Sequence, residues 1–315
     1  MSIILALIVT LLHIGLCLAG APLLCGVDAK LRAWTCGQRG PSLLQPYRHL
    51  AKLFGKAALM PDTATALFTI WPLVAFLALA TVTMLIPGFC TGMLTARSSD
   101  YVTIIGLFTL GRAAMLLGGL ETGSAFGGAG GARMALLGLG VEATLLVLLL
   151  VFAFFAHSTN LDEMAVGLTA GHVGFPMAMG LALAAMLVVA VLAAGGGSAG
   201  QSELAMVQAA MALEYAGRHL ALLDYAGMLR RLAWMNLLIC LFVPFGMARA
   251  AVLWSWPGGL LLWIFKLLCL TTGFAVFQSI RAETRLFRMP EVWGVALFIG
   301  LLASLLLLVS VGAGT

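Results

Sequence analysis

Charge is what this chain of 315 residues has least of: only 9% of it is Asp, Glu, Lys or Arg, against about 25% in an ordinary soluble domain. Together with 62% hydrophobic residues and a mean hydropathy of +1.09, that deficit excludes a water-soluble globule. Paired cysteines are missing too. Cys17, Cys25, Cys36, Cys90, Cys240 and Cys269 show no C-x-x-C spacing and mostly lie in or near apolar runs. A structural disulfide, zinc or iron–sulfur role therefore has little support, and they read as small core residues. Long polar stretches are also lacking, so a single polytopic membrane domain, 1–315, accounts for the whole chain.

What is present is a series of apolar runs, at 2–24, 66–88, 101–120, 134–156, 174–195, 232–253, 258–279 and 292–312. Each is about 20 residues long, enough to cross a ~30 Å hydrocarbon core as a helix. The expected fold is an all-α integral membrane protein of about eight transmembrane helices, with an amphipathic interfacial helix after the first. The first run has no basic residues before it, so it is expected to be a membrane helix rather than a cleaved signal.

The basic residues sort sharply. Lys30, Arg32, Arg39, Arg48, Lys52, Lys56, Arg133, Arg218, Arg230, Arg231, Arg281, Arg285 and Arg288 fall in the first, third, fifth and seventh connections, whereas only Arg97 and Arg249 fall in the alternate ones. Short Lys/Arg-rich loops stay cytoplasmic, which supports the span count and places both termini on the outer face. The net charge of +5 is thereby explained by orientation, and no nucleic-acid partner is expected.

Three ionisable residues lie deep in the spans, where a charge costs roughly 2.5–3.5 kcal/mol on the gentler insertion scale. Arg112 precedes the inner end of the third run by eight residues, and Glu142 follows the inner start of the fourth by eight. Both are expected about 12 Å deep at 1.5 Å per residue, so antiparallel helices bring them to matching depth. The pair reads either as a static ion pair holding the bundle or as a proton-relay or charge-coupling pair. Lys266 is close to the midplane of the seventh run and has no evident partner. It either lines a polar axis or is neutralised or paired without function.

Two polar stretches carry patterns. Gly118 to Arg133 reads GGLETGSAFGGAGGAR; it lacks the Gly-Lys-Ser/Thr ending of a phosphate loop and no strand precedes it, which excludes a nucleotide site. A tight re-entrant turn or close helix approach is expected instead, with Glu121 and Arg133 bracketing it. In Leu43 to Lys56, apolar residues Leu43, Leu44, Tyr47, Leu50, Leu53 and Phe54 follow helical spacing while Arg48, Lys52 and Lys56 share another face. That is an interfacial helix, either a membrane-lipid anchor or a docking surface for a peripheral subunit.

Gln38-Arg39-Gly40-Pro41, Tyr47-Arg48 and Lys52-Leu53 begin a longer series of matches. Gly119-Leu120-Glu121-Thr122-Gly123-Ser124 follows, then Arg133 and Val141-Glu142, Glu214-Tyr215-Ala216-Gly217, Lys266, and Arg281 through Arg288 with Pro290. In this order and spacing the chain resembles the membrane subunit shared by energy-converting group 4 [NiFe] hydrogenases, of the formate hydrogenlyase subunit 4 type, and by respiratory complex I as the NADH dehydrogenase H subunit. The Gly-Leu-Glu-Thr-Gly-Ser and Arg-Gly-Pro segments favour the hydrogenase branch.

The resemblance implies a subunit of an oxidoreductase complex in a bacterial inner membrane, with both termini periplasmic. It would be non-catalytic by itself, anchoring a peripheral electron-transfer arm on its cytoplasmic face and helping to carry protons. Partners would be hydrogenase-like large and small subunits and an antiporter-like membrane subunit; the nickel-iron centre and iron–sulfur clusters would belong to the hydrogenase-like subunits, with none bound by this chain. Docking would fall to Arg39, Tyr47, Arg48, Lys52, Arg133, Arg281 and Arg285, and proton relay or coupling to Glu142, Arg112, Lys266, Glu121, Glu203 and Glu214. One departure stands out. The family carries a Pro-Phe-Asp segment and a cluster of acids after the fifth helix, but residues 193–213 here contain Glu203 as the only carboxylate. Quinone binding and proton uptake from that loop are therefore not carried over, and Glu203 equally suits a helix N-terminus. The alternatives are the quinone-chamber subunit of an NADH dehydrogenase-like complex and a stand-alone transporter.

Overall fold

A computed structural model describes residues 2–61, 63–169, 176–194, 209–280 and 289–313. Ten α-helices are named among them: α1 (Ser2–Thr35), α2 (Gln45–Phe54), α3 (Leu67–Leu85), α4 (Tyr101–Glu121), α5 (Ala125–Ala156), α6 (Leu161–Thr169), α7 (Pro176–Ala194), α8 (Gly217–Phe242), α9 (Trp256–Ile280) and α10 (Met289–Ala313). Six of these regions, on α1, α3, α4, α5, α9 and α10, are long and apolar enough to cross a membrane. The apolar stretch of α7 is shorter, at Ala178–Val191, and α8 carries Arg218, Asp224, Arg230 and Arg231. The expected number of eight spans thus depends on α7 and α8, which pack among the other six.

The expected all-α membrane architecture holds, and its boundaries shift. α1 continues past 24 to Thr35, carrying Lys30 and Arg32, which the sequence alone places in a connection. The glycine-rich stretch is not a re-entrant loop: α4 runs to Glu121, Thr122–Ser124 make the turn, and α5 begins at Ala125 rather than 134. Ser124 caps α5 by accepting from the Gly127 N–H at 3.1 Å. The glycines serve close approach, since a Cβ on Gly127 would strike the Gly119 carbonyl. The sixth run shifts most. Its helix is 217–242, not 232–253, so Arg218, Arg230 and Arg231 belong to a helix and not to a loop.

The core is a continuous cluster contributed by α1, α3, α4, α5, α6, α7, α8, α9 and α10 and by the segment after α3, including Phe89, Tyr101, Leu145, Leu148, Met164, Trp234 and Ala303. Large apolar side chains such as Leu11, Leu77, Leu139, Leu261, Phe265 and Leu305 point outward, as helices in lipid require. Connections gather at two ends. At one, Thr63 donates to the Thr122 carbonyl at 3.2 Å and Tyr215 stacks on Phe68 at 4.0 Å between ring centroids. At the other, two-residue strands pair in parallel, Cys90 with Ala248 and Thr91 with Arg249, and the Gly92 N–H donates to Asp162 at 3.1 Å. The first, third and fifth connections are thereby separated from the second, fourth and sixth.

Candidate functional site: buried ion pairs beneath a polar rim

Arg112 on α4 and Glu142 on α5 are brought together, the Arg112 Nη2 donating to Glu142 Oε1 at 2.7 Å. Both are largely sequestered, at 13% and 26% side-chain exposure. Their route to contact differs from equal counting along two helices. With α5 starting at Ala125, Gly138 is the residue against Arg112, a Cβ there lying 2.8 Å from the guanidinium. Glu142 stands one turn farther along α5, and the length of the arginine side chain spans that turn.

A second cation adjoins the pair. Arg230 on α8 donates to the Met115 sulfur at 3.2 Å. Met115 is three residues beyond Arg112, a spacing that makes helix neighbours. α4 therefore touches Glu142 through Arg112 and a guanidinium of α8 through Met115.

Nearer the rim is a charge cluster that sequence reasoning did not identify. Asp28 on α1 accepts from Arg231 Nη1 at 2.6 Å and lies 2.7 Å from Arg32 Nη2. Asp28 and Arg231 are buried, at 2% and 4% side-chain exposure. A signal was available: Asp28 precedes Arg32 by four residues, the favourable helical spacing, and Arg230-Arg231 is flanked by apolar residues on both sides. Read as loop charges, the two arginines concealed their partner.

Lys266 has partners after all. Its Nζ donates to the Val243 carbonyl at 2.7 Å and to the Phe245 carbonyl, just past the end of α8. A cation here satisfies carbonyls that a terminating helix leaves open and complements the negative end of its dipole.

The rim is built from the other expected residues. Glu121, half-buried at the end of α4, accepts from the Thr65 hydroxyl. Beside it Tyr215 packs its hydroxyl where a Cβ on Gly118 would stand; burial, and then the Glu121 charge, push that phenol upward from its ordinary pKa. Gly217, at φ +56°, lies against the Ala57 and Lys56 carbonyls. Glu214, Arg133, Arg39, Arg48 and Lys52 are exposed and Tyr47 is half-buried. The amphipathic helix forms as expected, as α2, with Leu50 and Leu53 buried. His49 on α2 faces Asp224 on α8 at 3.1 Å. Glu203, Arg281 and Arg285 lie outside the described residues. Among the described residues, no group of three or more His, Cys, Asp or Glu could hold a metal ion.

A polytopic helical membrane protein with internal ion pairs and a polar rim is the class these features define. The chain matches the NADH dehydrogenase family over residues 6–309 and belongs to it. It is 30% identical over 272 residues to Hydrogenase-4 component C of Escherichia coli (strain K12), covering 86% of each chain. It is 29% identical over 279 residues to Formate hydrogenlyase subunit 4 of the same organism, covering 87% of this chain and 90% of that one. The family resemblance carried by the Arg-Gly-Pro and Gly-Leu-Glu-Thr-Gly-Ser segments is thus borne out. Its fold is similar to a chain of the membrane-bound sulfane sulfur reductase, an archaeal respiratory membrane complex, with a TM-score of 0.79, 17% identity and coverage of 96% and 99%.

Proposed function

We propose that this chain is the membrane-anchoring and proton-translocating subunit of a hydrogenase-type oxidoreductase complex. Its rim faces the cytoplasm, both termini face the periplasm, and a peripheral electron-transfer arm docks on α2 and the adjoining polar segments. Family membership and the two relatives named for hydrogenase complexes support the complex type. The observation that carries the translocation is the 2.7 Å Arg112–Glu142 pair inside α4 and α5, because ionisable groups within a membrane bundle mark ion pathways.

The coupling is electrostatic. Electron arrival in the docked arm changes the local field, and in low dielectric that change acts strongly on the Arg112–Glu142 pair. Arg112 binds the Glu142 carboxylate at 2.7 Å, and displacement of Arg112 is the step by which the pair responds to the field. Arg230 of α8 adds a second positive charge beside α4, at Met115. Lys266 serves as a cap for the end of α8 rather than as a member of the relay.

The test is Glu142→Gln in the assembled complex. Turnover-linked proton movement is abolished while electron flow persists; unchanged pumping rejects the assignment. Co-purified partners are examined for nickel-ligating cysteine pairs, whose presence supports the hydrogenase type and whose absence from a similar partner favours a quinone-linked relative.

A further inference from the structure

α1 contains Pro22. Having no N–H, a proline leaves the carbonyl four residues earlier without its helical partner, and in lipid such a group must be satisfied from within the protein. That carbonyl belongs to Leu18, and the Tyr225 hydroxyl of α8 donates to it at 2.8 Å. One residue along, the Tyr47 hydroxyl of α2 donates to the Ala19 carbonyl. The Tyr47 hydroxyl thus sits on the α1 backbone beside the proline, the residue at which helices bend most readily. Two hydroxyls from two different helices fill one hinge.

What lies on either side gives the hinge a use. Beyond Pro22, α1 carries Asp28, which binds Arg231 of α8 at 2.6 Å, and Gly26, which lies against the Leu43 carbonyl just before α2. α2 is joined to α8 directly by His49 and Asp224 at 3.1 Å. The inner part of α1, α2 and α8 are therefore tied to one another around Pro22. From α8, Arg230 reaches Met115, one helical step from Arg112. A continuous series of contacts runs from the surface helix to the membrane ion pair.

We propose that Tyr47 and Tyr225 are positioning residues that clamp the Pro22 hinge of α1 and carry displacement of the surface helix α2 into α8 and the Arg112–Glu142 pair. This rests on the docking of a redox arm at α2 and on proton coupling through Glu142. Proline makes the hinge, and the tyrosines make its angle depend on α2 and α8. An anchor that only held α2 to lipid would not require its tyrosine to donate to a backbone carbonyl of α1.

The experiment uses the whole complex carrying Tyr47→Phe, Tyr225→Phe, Pro22→Ala, or Pro22→Ala with Tyr225→Phe. Amide exchange over residues 18–26 and the ratio of protons moved to electrons transferred are read together. Each phenylalanine variant should assemble, raise exchange at the hinge roughly tenfold, as expected for losing about one net hydrogen bond, and lower the proton-to-electron ratio. Pro22→Ala restores an N–H for Leu18, so adding Tyr225→Phe to it should change exchange far less than Tyr225→Phe does alone. Wild-type exchange in both tyrosine variants, or equal effects of Tyr225→Phe in both backgrounds, overturns the clamp. Raised exchange with an unchanged ratio, where Glu142→Gln abolishes pumping, reduces the tyrosines to scaffolding and overturns the positioning role. If Glu142→Gln itself leaves pumping intact, the proposed function fails while the exchange comparison still decides the clamp.

Discussion

The Asp28 carboxylate of α1 meets the Arg231 guanidinium of α8 at 2.6 Å, with both side chains almost wholly buried, and the same carboxylate lies 2.7 Å from Arg32. One anion thus serves two cations between α1 and α8. Removing a partner from a buried pair leaves an uncompensated charge, at a cost of about 3–5 kcal/mol. Because Asp28 keeps Arg32 when Arg231 is lost, Arg231→Met should cost less than Asp28→Asn, which strands both arginines. Thermal denaturation of the detergent-solubilised complex checks the order; equal losses would show that Arg32 contributes nothing.

Gly138 gives access to the membrane pair without touching either charge. A Cβ added there would stand 2.8 Å from the Arg112 guanidinium, whereas nothing lies within 4 Å of one added at Gly128. Gly138→Ala should displace Arg112 from Glu142 and lower the proton-to-electron ratio. Gly128→Ala should keep the ratio and stabilise α5 by about 0.5–1 kcal/mol through helix propensity. Parallel proton and electron measurements on the two variants decide this, and equal ratios would separate the Arg112 position from coupling.

The contrast between these two sites shows what the sequence makes legible. Apolar runs long enough for lipid reveal the membrane helices, and opposite charges stranded in adjacent runs reveal Arg112 and Glu142. The amphipathic pattern of α2 is equally visible, because its buried Leu50 and Leu53 recur at helical spacing. Ends of helices are harder. α8 starts at Gly217 despite Arg218, Asp224, Arg230 and Arg231, since the cost of the Arg231 charge is met by Asp28, a residue 203 positions away. A long-range partner has no local signature. The glycine-rich stretch misleads for the opposite reason: its residues lower helix propensity, yet their lack of side chains lets α4 and α5 approach, and packing prevails. Lys266 is found at the expected helix, but its Val243 and Phe245 acceptors are backbone atoms that residue types do not announce.

The rim depends on a second glycine. Gly217 adopts φ +56° and a Cβ there would meet the Ala57 carbonyl, with the Lys56 carbonyl at 2.9 Å. Both the left-handed backbone and the close approach require glycine. Gly217→Ala should cost about 1–3 kcal/mol and part the segment after α2 from the start of α8, weakening assembly with the peripheral arm. Gly227→Ala, with open space at its Cβ, is the control. Co-purification yields of the two variants give the readout, and equal yields would remove this contact from the docking surface.

Lys266 provides the last separation of structure from transport. Its ammonium binds the Val243 and Phe245 carbonyls where α8 ends and Pro244 denies the chain a helical continuation. Lys266→Met leaves these acceptors without their donor, which should cost about 1–3 kcal/mol. Lys266→Arg retains positive charge and donors and should recover part of that loss. Because the lysine caps a helix rather than binding Glu142, the proton-to-electron ratio of intact Lys266→Met complex should stay at the wild-type value. Melting of the purified complex, followed by pumping measurements in liposomes below the melting range, distinguishes the two roles. A normal melting temperature with a reduced ratio would return Lys266 to the proton path and end its assignment as a cap.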